Sequence, residues 1–393
     1  VGSVFVVIYD YAFVKKPKQF QNLTLPQLGF GSMRLPLLPG GGDEDVDQAA
    51  VDRMVDTAMA RGANYFDTAY GYHGGKSEVV MGKALSRYPR ESFFLADKFP
   101  GYDVDNIRAD KVEAIFEEQL RRCGVEYFDF YLFHNVYERN VEPYLDPENR
   151  VVEYLLEQKR NGRIRHLGFS AHGALPVIRK FLDAVGEHME FGQLQLNYLD
   201  WDFQQARDKA AELNRRNIPI WVMEPLRGGR LARLTEEEAE KLRALRPGES
   251  PVGWAFRFLQ GVPGVTVILS GMSSQEQLED NLNLFETETP LTDAEMDALL
   301  KVAGGMVNSR TLPCTACRYC VDHCPRGLDI PNLLALYNEH TFTGGGFIAP
   351  MAVGALPEDK RPSACIGCRS CERVCPQQLK ISEAMADFTK KLG

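Results

Sequence analysis

The sequence predicts an α/β chain in two parts, a (β/α)8 barrel followed by a small, mainly helical domain rich in cysteine. Three observations carry this expectation. The chain has 393 residues, more than a single hydrophobic core usually organises. Short apolar runs alternate with longer amphipathic ones through most of its length, and eight of the nine cysteines fall between Cys314 and Cys375.

The strand candidates, in order, are Leu28–Gly31, Tyr65–Asp67, Phe93–Asp97, Phe128–Phe133, His166–Phe169, Gln193–Leu196, Ile218–Val222 and Val265–Leu269. Helical patterns with apolar residues three and four apart follow them, among them Val46–Arg61, Lys111–Arg122, Val151–Arg160, Gln204–Arg216 and Gln275–Leu284. Eight such units match a TIM barrel in number and length. A doubly wound sheet is the runner-up, but its Gly-x-Gly-x-x-Gly turn after the first strand is missing. We therefore expect an extension over residues 1–22, a barrel over 23–290, a helical linker over 291–311 and the cysteine domain over 312–393. The linker helix should span Leu291–Val307, capped at Thr292.

Apolar residues make up 44% and charged residues 25%, as in ordinary folded proteins, and the net charge is −9. That balance argues against a nucleic-acid partner. No apolar run approaches membrane-spanning length, so no membrane partner is expected. Val4–Tyr9 is apolar, but neither a preceding basic segment nor a following cleavage site marks it as a secretory signal.

The two cysteine runs read Cys314-x2-Cys317-x2-Cys320-x3-Cys324-Pro325 and Cys365-x2-Cys368-x2-Cys371-x3-Cys375-Pro376. Each is the spacing that binds a [4Fe–4S] cluster in bacterial ferredoxins, where the fourth cysteine reaches across to the other cluster. The expected ligand sets are thus Cys314, Cys317, Cys320 and Cys375 for one cluster, and Cys365, Cys368, Cys371 and Cys324 for the second. Disulfides suit small secreted domains, and structural zinc is usually built from paired Cys-x2-Cys knuckles. Between the runs, a helix is expected over Pro331–Glu339, and the rest reads as a long ordered loop. Labile clusters imply a reducing cytoplasm. Cys123, alone in the first part, reads as a small buried hydrophobe.

A barrel places its chemistry at the carboxyl ends of its strands. Those ends carry Asp67 and Tyr72, then Lys98, then His134. Singly, each has an ordinary structural reading as cap, rim residue, surface charge or core imidazole. Together they make chemical sense, because a phenol donates a proton more readily when a cation stabilises its phenolate. An ammonium about 4 Å away contributes at most ~4 kcal/mol, or roughly three pKa units, at an effective dielectric of 20. Asp67 would hold Lys98, and His134 would orient a carbonyl oxygen.

Asp67-Thr-Ala-Tyr-Gly-Tyr72, Lys98 in Leu-Ala-Asp-Lys and His134 in Tyr-Leu-Phe-His-Asn resemble the tetrad of the aldo-keto reductases. The likeness runs from about Leu25 to Phe285, and the whole chain resembles the branch carrying a C-terminal 2[4Fe–4S] ferredoxin-type domain. It implies an NADP or NAD cofactor across the barrel mouth, hydride transfer to a small aldehyde or ketone, and Tyr72 as proton donor. It also implies that Ser170 and Gln193 bind the carboxamide. Met223, Pro225, Leu226, Gly228 and Gly229 would form the pyrophosphate loop, and Ser273, Ser274, Gln277 and Asn281 the adenosine end. Four positions depart from the family pattern. Ala171 replaces an Asn, with His172 beside it as a substitute. Met223 replaces an aromatic residue. Gly271 and Gln277 replace a Lys and an Arg that pair with the 2′-phosphate of NADP, which leaves NAD open.

Hydride transfer moves two electrons and a cubane one, and the sequence carries no flavin signature to convert between them. The clusters would therefore exchange electrons through a flavin or a redox-protein partner, or stabilise the chain. The alternative is an electron-transfer or redox-sensing subunit whose barrel binds nucleotide without reducing carbonyls.

Overall fold

A computed structural model describes residues 18–308, 311–314 and 316–393; residues 1–17 of the expected extension lie outside the described residues. A hairpin, β1 (Lys18–Phe20) and β2 (Leu23–Leu25), opens the chain. Eight parallel strands follow: β3 (Leu28–Gly31), β4 (Tyr65–Asp67), β5 (Phe94–Phe99), β6 (Phe128–Val136), β7 (Ile164–Ala171), β8 (Gly192–Gln195), β9 (Ile220–Met223) and β10 (Val265–Gly271). They close in sequence order, with β10 pairing β3, so the sheet has no free edge.

Every expected strand is present, but β5 and β6 run further than their apolar cores suggested. Lys98 and Phe99 still pair with Leu132 and Phe133, and β6 continues through His134 to Val136. An ionisable side chain does not end a strand whose backbone partner continues. Lys98 and His134 accordingly sit within their strands, near the carboxyl ends.

The barrel interior is aromatic. Tyr65, Phe130, Phe191 and Trp221 pack together, and the Trp221 indole donates to the Tyr65 hydroxyl at 2.9 Å. The hairpin belongs to this core. Phe20 is buried among them, its ring 5.1 Å from that of Trp221 and 5.7 Å from that of Phe130. Residues 18–22, read from sequence as part of an extension, thus help to close the barrel at the end away from the strand carboxyl termini.

One compact unit runs to Asp297; the other comprises Ala298–Gly393 with Tyr137–Arg139. The expected linker helix is Asp293–Asn308, and Thr292 and Glu295 exchange backbone-to-side-chain bonds in a capping box at its start. In the second unit, helices Ile330–Thr343 and Ile381–Leu392 each follow a cysteine run. Leu328, Leu333, Leu334, Leu379 and Met385 form their core. The segment between the runs is more regular than a loop. Gly344, at φ 69°, ends the first helix, and a further helix, Ile348–Gly354, buries Ala349 and Val353 against Phe388.

Phe20→Ala should empty the hairpin's place in the core and cost ~3–5 kcal/mol. Denaturant unfolding followed by tryptophan fluorescence checks this, and a change below about 1 kcal/mol would show the hairpin to be peripheral.

Candidate active site and cysteine cavities

At the carboxyl end of β5, Lys98 is fully buried. Its ammonium donates to Asp67 Oδ1 at 2.6 Å, to the Thr68 carbonyl at 2.7 Å and to the Tyr72 hydroxyl at 3.4 Å. β4 carries Asp67, and the backbone there is fixed by Ser32, whose hydroxyl donates to the Asp67 carbonyl at 2.7 Å. Three of the four residues singled out at the strand ends are thus in direct contact.

His134 completes the group, its ring 6.1 Å from that of Tyr72 and nearly perpendicular to it. A bulge aims it. Between Phe133 and Val136, β6 carries one residue more than β7 spans from Phe169 to Ala171, and Asn135 takes φ 55°. Ser170 Oγ accepts from the Asn135 N–H at 2.8 Å, which pins the bulge from the neighbouring strand. Tyr102, from the loop after β5, packs perpendicular to His134 with ring centroids 5.1 Å apart. Nothing in the sequence pattern marked Tyr102, because no strand or motif holds it.

The electrostatics correct one expectation. Burial is the largest influence on Tyr72, and it outweighs the opposing pull of Lys98, leaving the phenol above its ordinary value. Lys98 pays for burial too, but Asp67 and Tyr72 overcome it and push its pKa up to about 12. Burial also raises Asp67, against Lys98. Burial, then the charge of Lys98, hold His134 well below the usual imidazole range. At neutral pH the site therefore holds a lysine cation, a protonated phenol and a neutral imidazole. Asp67 Oδ2, His134 Nδ1 and Gln193 Oε1 are buried without hydrogen-bond partners.

The positions expected for the pyrophosphate and adenosine of a cofactor follow β9 and β10, while Ser170 and Gln193 pair across β7 and β8. Glu224, Arg227, Gly228 and Gly229 all take positive φ. Left-handed backbone at the two non-glycine positions costs about 1–3 kcal/mol each. An ion pair holds each of them: Glu224 with Arg34 at 3.0 Å, and buried Arg227 with buried Asp200 at 3.0 Å. The Ser273 hydroxyl donates to the Arg34 carbonyl, the Ser273 N–H to Gln277 Oε1, and Ser274 caps the helix Gln275–Phe285. Asn281 donates to Ser270 Oγ at 3.1 Å. The Met223 sulfur accepts from Gln193 Nε2, and His172 is engaged by Gln195. Arg34 lies against Gly228 and Gly271, which have no side chains to displace it. The sequence reading missed it, since it belongs to a short turn rather than a strand end.

In the second unit, two cavities lie among the cysteines. Cys324, Cys365, Cys368 and Cys371 line one, and Cys314, Cys317, Cys320 and Cys375 the other. Each run thus contributes three thiols to one cavity and its fourth to the other. Burial pushes the Cys320 thiol up to about 11, with Cys314, Cys317 and Cys375 adding to it. Among the described residues no His, Cys, Asp or Glu group is set to hold a single metal ion. Four thiols around a cavity suit a larger, multi-atom group instead.

A parallel barrel with Asp, Tyr, Lys and His collected at its strand carboxyl ends defines an oxidoreductase of the barrel class. The aldo/keto reductase family profile matches residues 27–303, and the chain belongs to that family. Residues 313–381 match the 4Fe-4S dicluster domain. The chain is 29% identical over 239 residues to the NADH-specific methylglyoxal reductase of Escherichia coli, covering 55% of this chain and 68% of that one. It is 25% identical over 328 residues to an aldo-keto reductase of Gibberella moniliformis, covering 73% and 93%. Among solved structures, the holo form of aldo-keto reductase AKR11C1 from Bacillus halodurans superposes with a TM-score of 0.59 at 25% identity, over 73% of this chain and 96% of that one. No helix among the described residues is long and apolar enough to cross a membrane.

Lys98→Met strands Asp67 in the barrel without its counter-charge and should cost ~3–5 kcal/mol at pH 8. Because burial already raises Asp67, the variant should regain stability as the pH falls and the carboxyl takes up a proton. Urea unfolding across pH 5–8 reads this, and a variant as stable as wild type throughout contradicts it.

Proposed function

We propose that the chain reduces a small aldehyde or ketone with NADH or NADPH, Tyr72 giving the proton. The observation that carries this reading is the fully buried Lys98, held by Asp67 and reaching the Tyr72 hydroxyl at 3.4 Å. The dinucleotide, when bound, supplies a hydride to the carbonyl carbon. Tyr72 supplies the proton to the carbonyl oxygen, and the phenolate left behind is stabilised by the lysine beside it. The neutral His134 imidazole, close to the Tyr72 ring, orients that oxygen.

Several features fit a nicotinamide dinucleotide. Gln193 keeps a buried, unpartnered amide oxygen suited to a carboxamide N–H, and Ser170 stands next to it across the β7–β8 pair. Gly228 and Gly229 leave the loop after β9 open to close backbone approach, and Arg34 supplies a cation beside them. Ser273, Ser274, Gln277 and Asn281 would meet the adenosine end. Gly271 and Gln277 supply no cation there for a 2′-phosphate, which removes a reason to prefer NADP and leaves NAD open. The eight thiols fit two [4Fe–4S] clusters, one per cavity. Their electrons would pass through a flavin or redox-protein partner, since a two-electron hydride and a one-electron cubane do not exchange directly.

Tyr72→Phe should lower carbonyl reduction by about 10²–10⁴-fold with the visible absorbance of the iron–sulfur domain unchanged. Full activity in that variant would overturn the assignment. Since Tyr72 is raised above its ordinary value, wild-type reduction should hold level from pH 6 to 9 and fall only as the phenol ionises above about 10. A rate that falls between pH 7 and 8 would point to another acid.

A further inference from the structure

The two halves of the cysteine domain repeat one another in backbone as well as in sequence. Ala316 and Arg318 in the first run, and Gly367 and Arg369 in the second, take positive φ at matching offsets. Gly327 and Gln378 do so after the two prolines, and helices then begin at Ile330 and Ile381. Most residues lining one cavity therefore have a counterpart lining the other, and those pairs can be compared.

Leu328 and Leu379, and Met385 and Leu334, are matched apolar lining residues, but the charges differ. Arg318 and Arg369 occupy equivalent places, one at each cavity. Arg326 lines the cavity of Cys324, Cys365, Cys368 and Cys371, whereas its counterpart at the other cavity is the neutral Gln377. Arg318 is paired with Asp329 at 3.3 Å, while the counterpart of Asp329 is Lys380. Arg373, which donates to Ser370 Oγ at 3.0 Å, stands where the first run has Asp322. Carboxylates near the cavity that Arg326 lines are Glu372, which accepts from Ser382, Glu383, 3.6 Å from Lys380, and Asp329, between the lining residues Leu328 and Ile330 and held by Arg318. Among the described residues, two arginines, Arg326 and Arg369, line the cavity of Cys324, Cys365, Cys368 and Cys371, and one, Arg318, lines the other.

We infer that the two cluster sites have unequal reduction potentials, with the site of Cys324, Cys365, Cys368 and Cys371 the more positive. The inference rests on the proposed cluster binding. Reduction adds one electron to an already anionic four-thiolate cubane, so nearby cations favour the reduced form and nearby carboxylates oppose it. The first electron entering the domain, from dithionite or a one-electron redox protein, settles at the more cationic site. An electron delivered to the other site then moves there. The domain is polarised, with a defined collecting end.

The test is anaerobic redox titration of the reconstituted full-length protein, followed by electron paramagnetic resonance, together with iron and sulfide analysis. Two one-electron waves are expected. A tenfold preference for the cationic site corresponds to a separation of about 59 mV. Arg326→Gln should lower the upper wave alone, and Gln377→Arg should raise the lower wave alone. A single unsplit wave at low ionic strength, or an upper wave unmoved by Arg326→Gln, overturns the inference. Fewer than four irons per set of cysteines would instead overturn the cluster assignment itself.

Discussion

Most of the barrel's upper end is organised around the need to keep one ammonium charged where no water reaches it. Lys98 has no exposed surface, so its charge must be answered within the protein, and Asp67 and the Thr68 carbonyl answer it. Those two groups sit at the end of β4, which is why Ser32 and Ser77 lock that backbone with a chain of hydroxyl bonds. Tyr72 then has a fixed cation to face, and His134 a fixed phenol. The cost of the buried charge is what gives the site its order.

The same burial alters the acid–base character of the site. A lysine near a phenol is expected to make it more acidic, and taken by itself it does. Removing the phenol from water works the other way and prevails, so Tyr72 remains protonated across the physiological range. The proton-donor role proposed for Tyr72 requires its proton at the start of each turnover, and this balance keeps it there.

Much of this was legible in the sequence because barrels impose a rule on their strand ends. Asp67, Lys98 and His134 follow apolar runs, and that position alone placed them on one face. The strand limits were misjudged at Lys98 and His134 because a polar residue reads as a strand's end, although pairing with the next strand carries it on. The crossed cysteine sets followed from spacing. Arg34, Tyr102 and the Asp200–Arg227 pair were invisible, since long-range contacts between loops leave no periodicity. The hairpin at Phe20 was missed for a related reason: two three-residue strands are too short to show a pattern, and only the barrel core they enter reveals them.

The exchange of a cysteine between the two cavities bears on how the chain is made. Cys375, near the end of the sequence, lines the cavity otherwise built from the first run, and Cys324 lines the one built from the second. Neither cavity has all its thiols until the ribosome has passed residue 375. A chain interrupted earlier presents loose thiols rather than a half-built site, so completeness of the polypeptide is a condition for either cavity to exist.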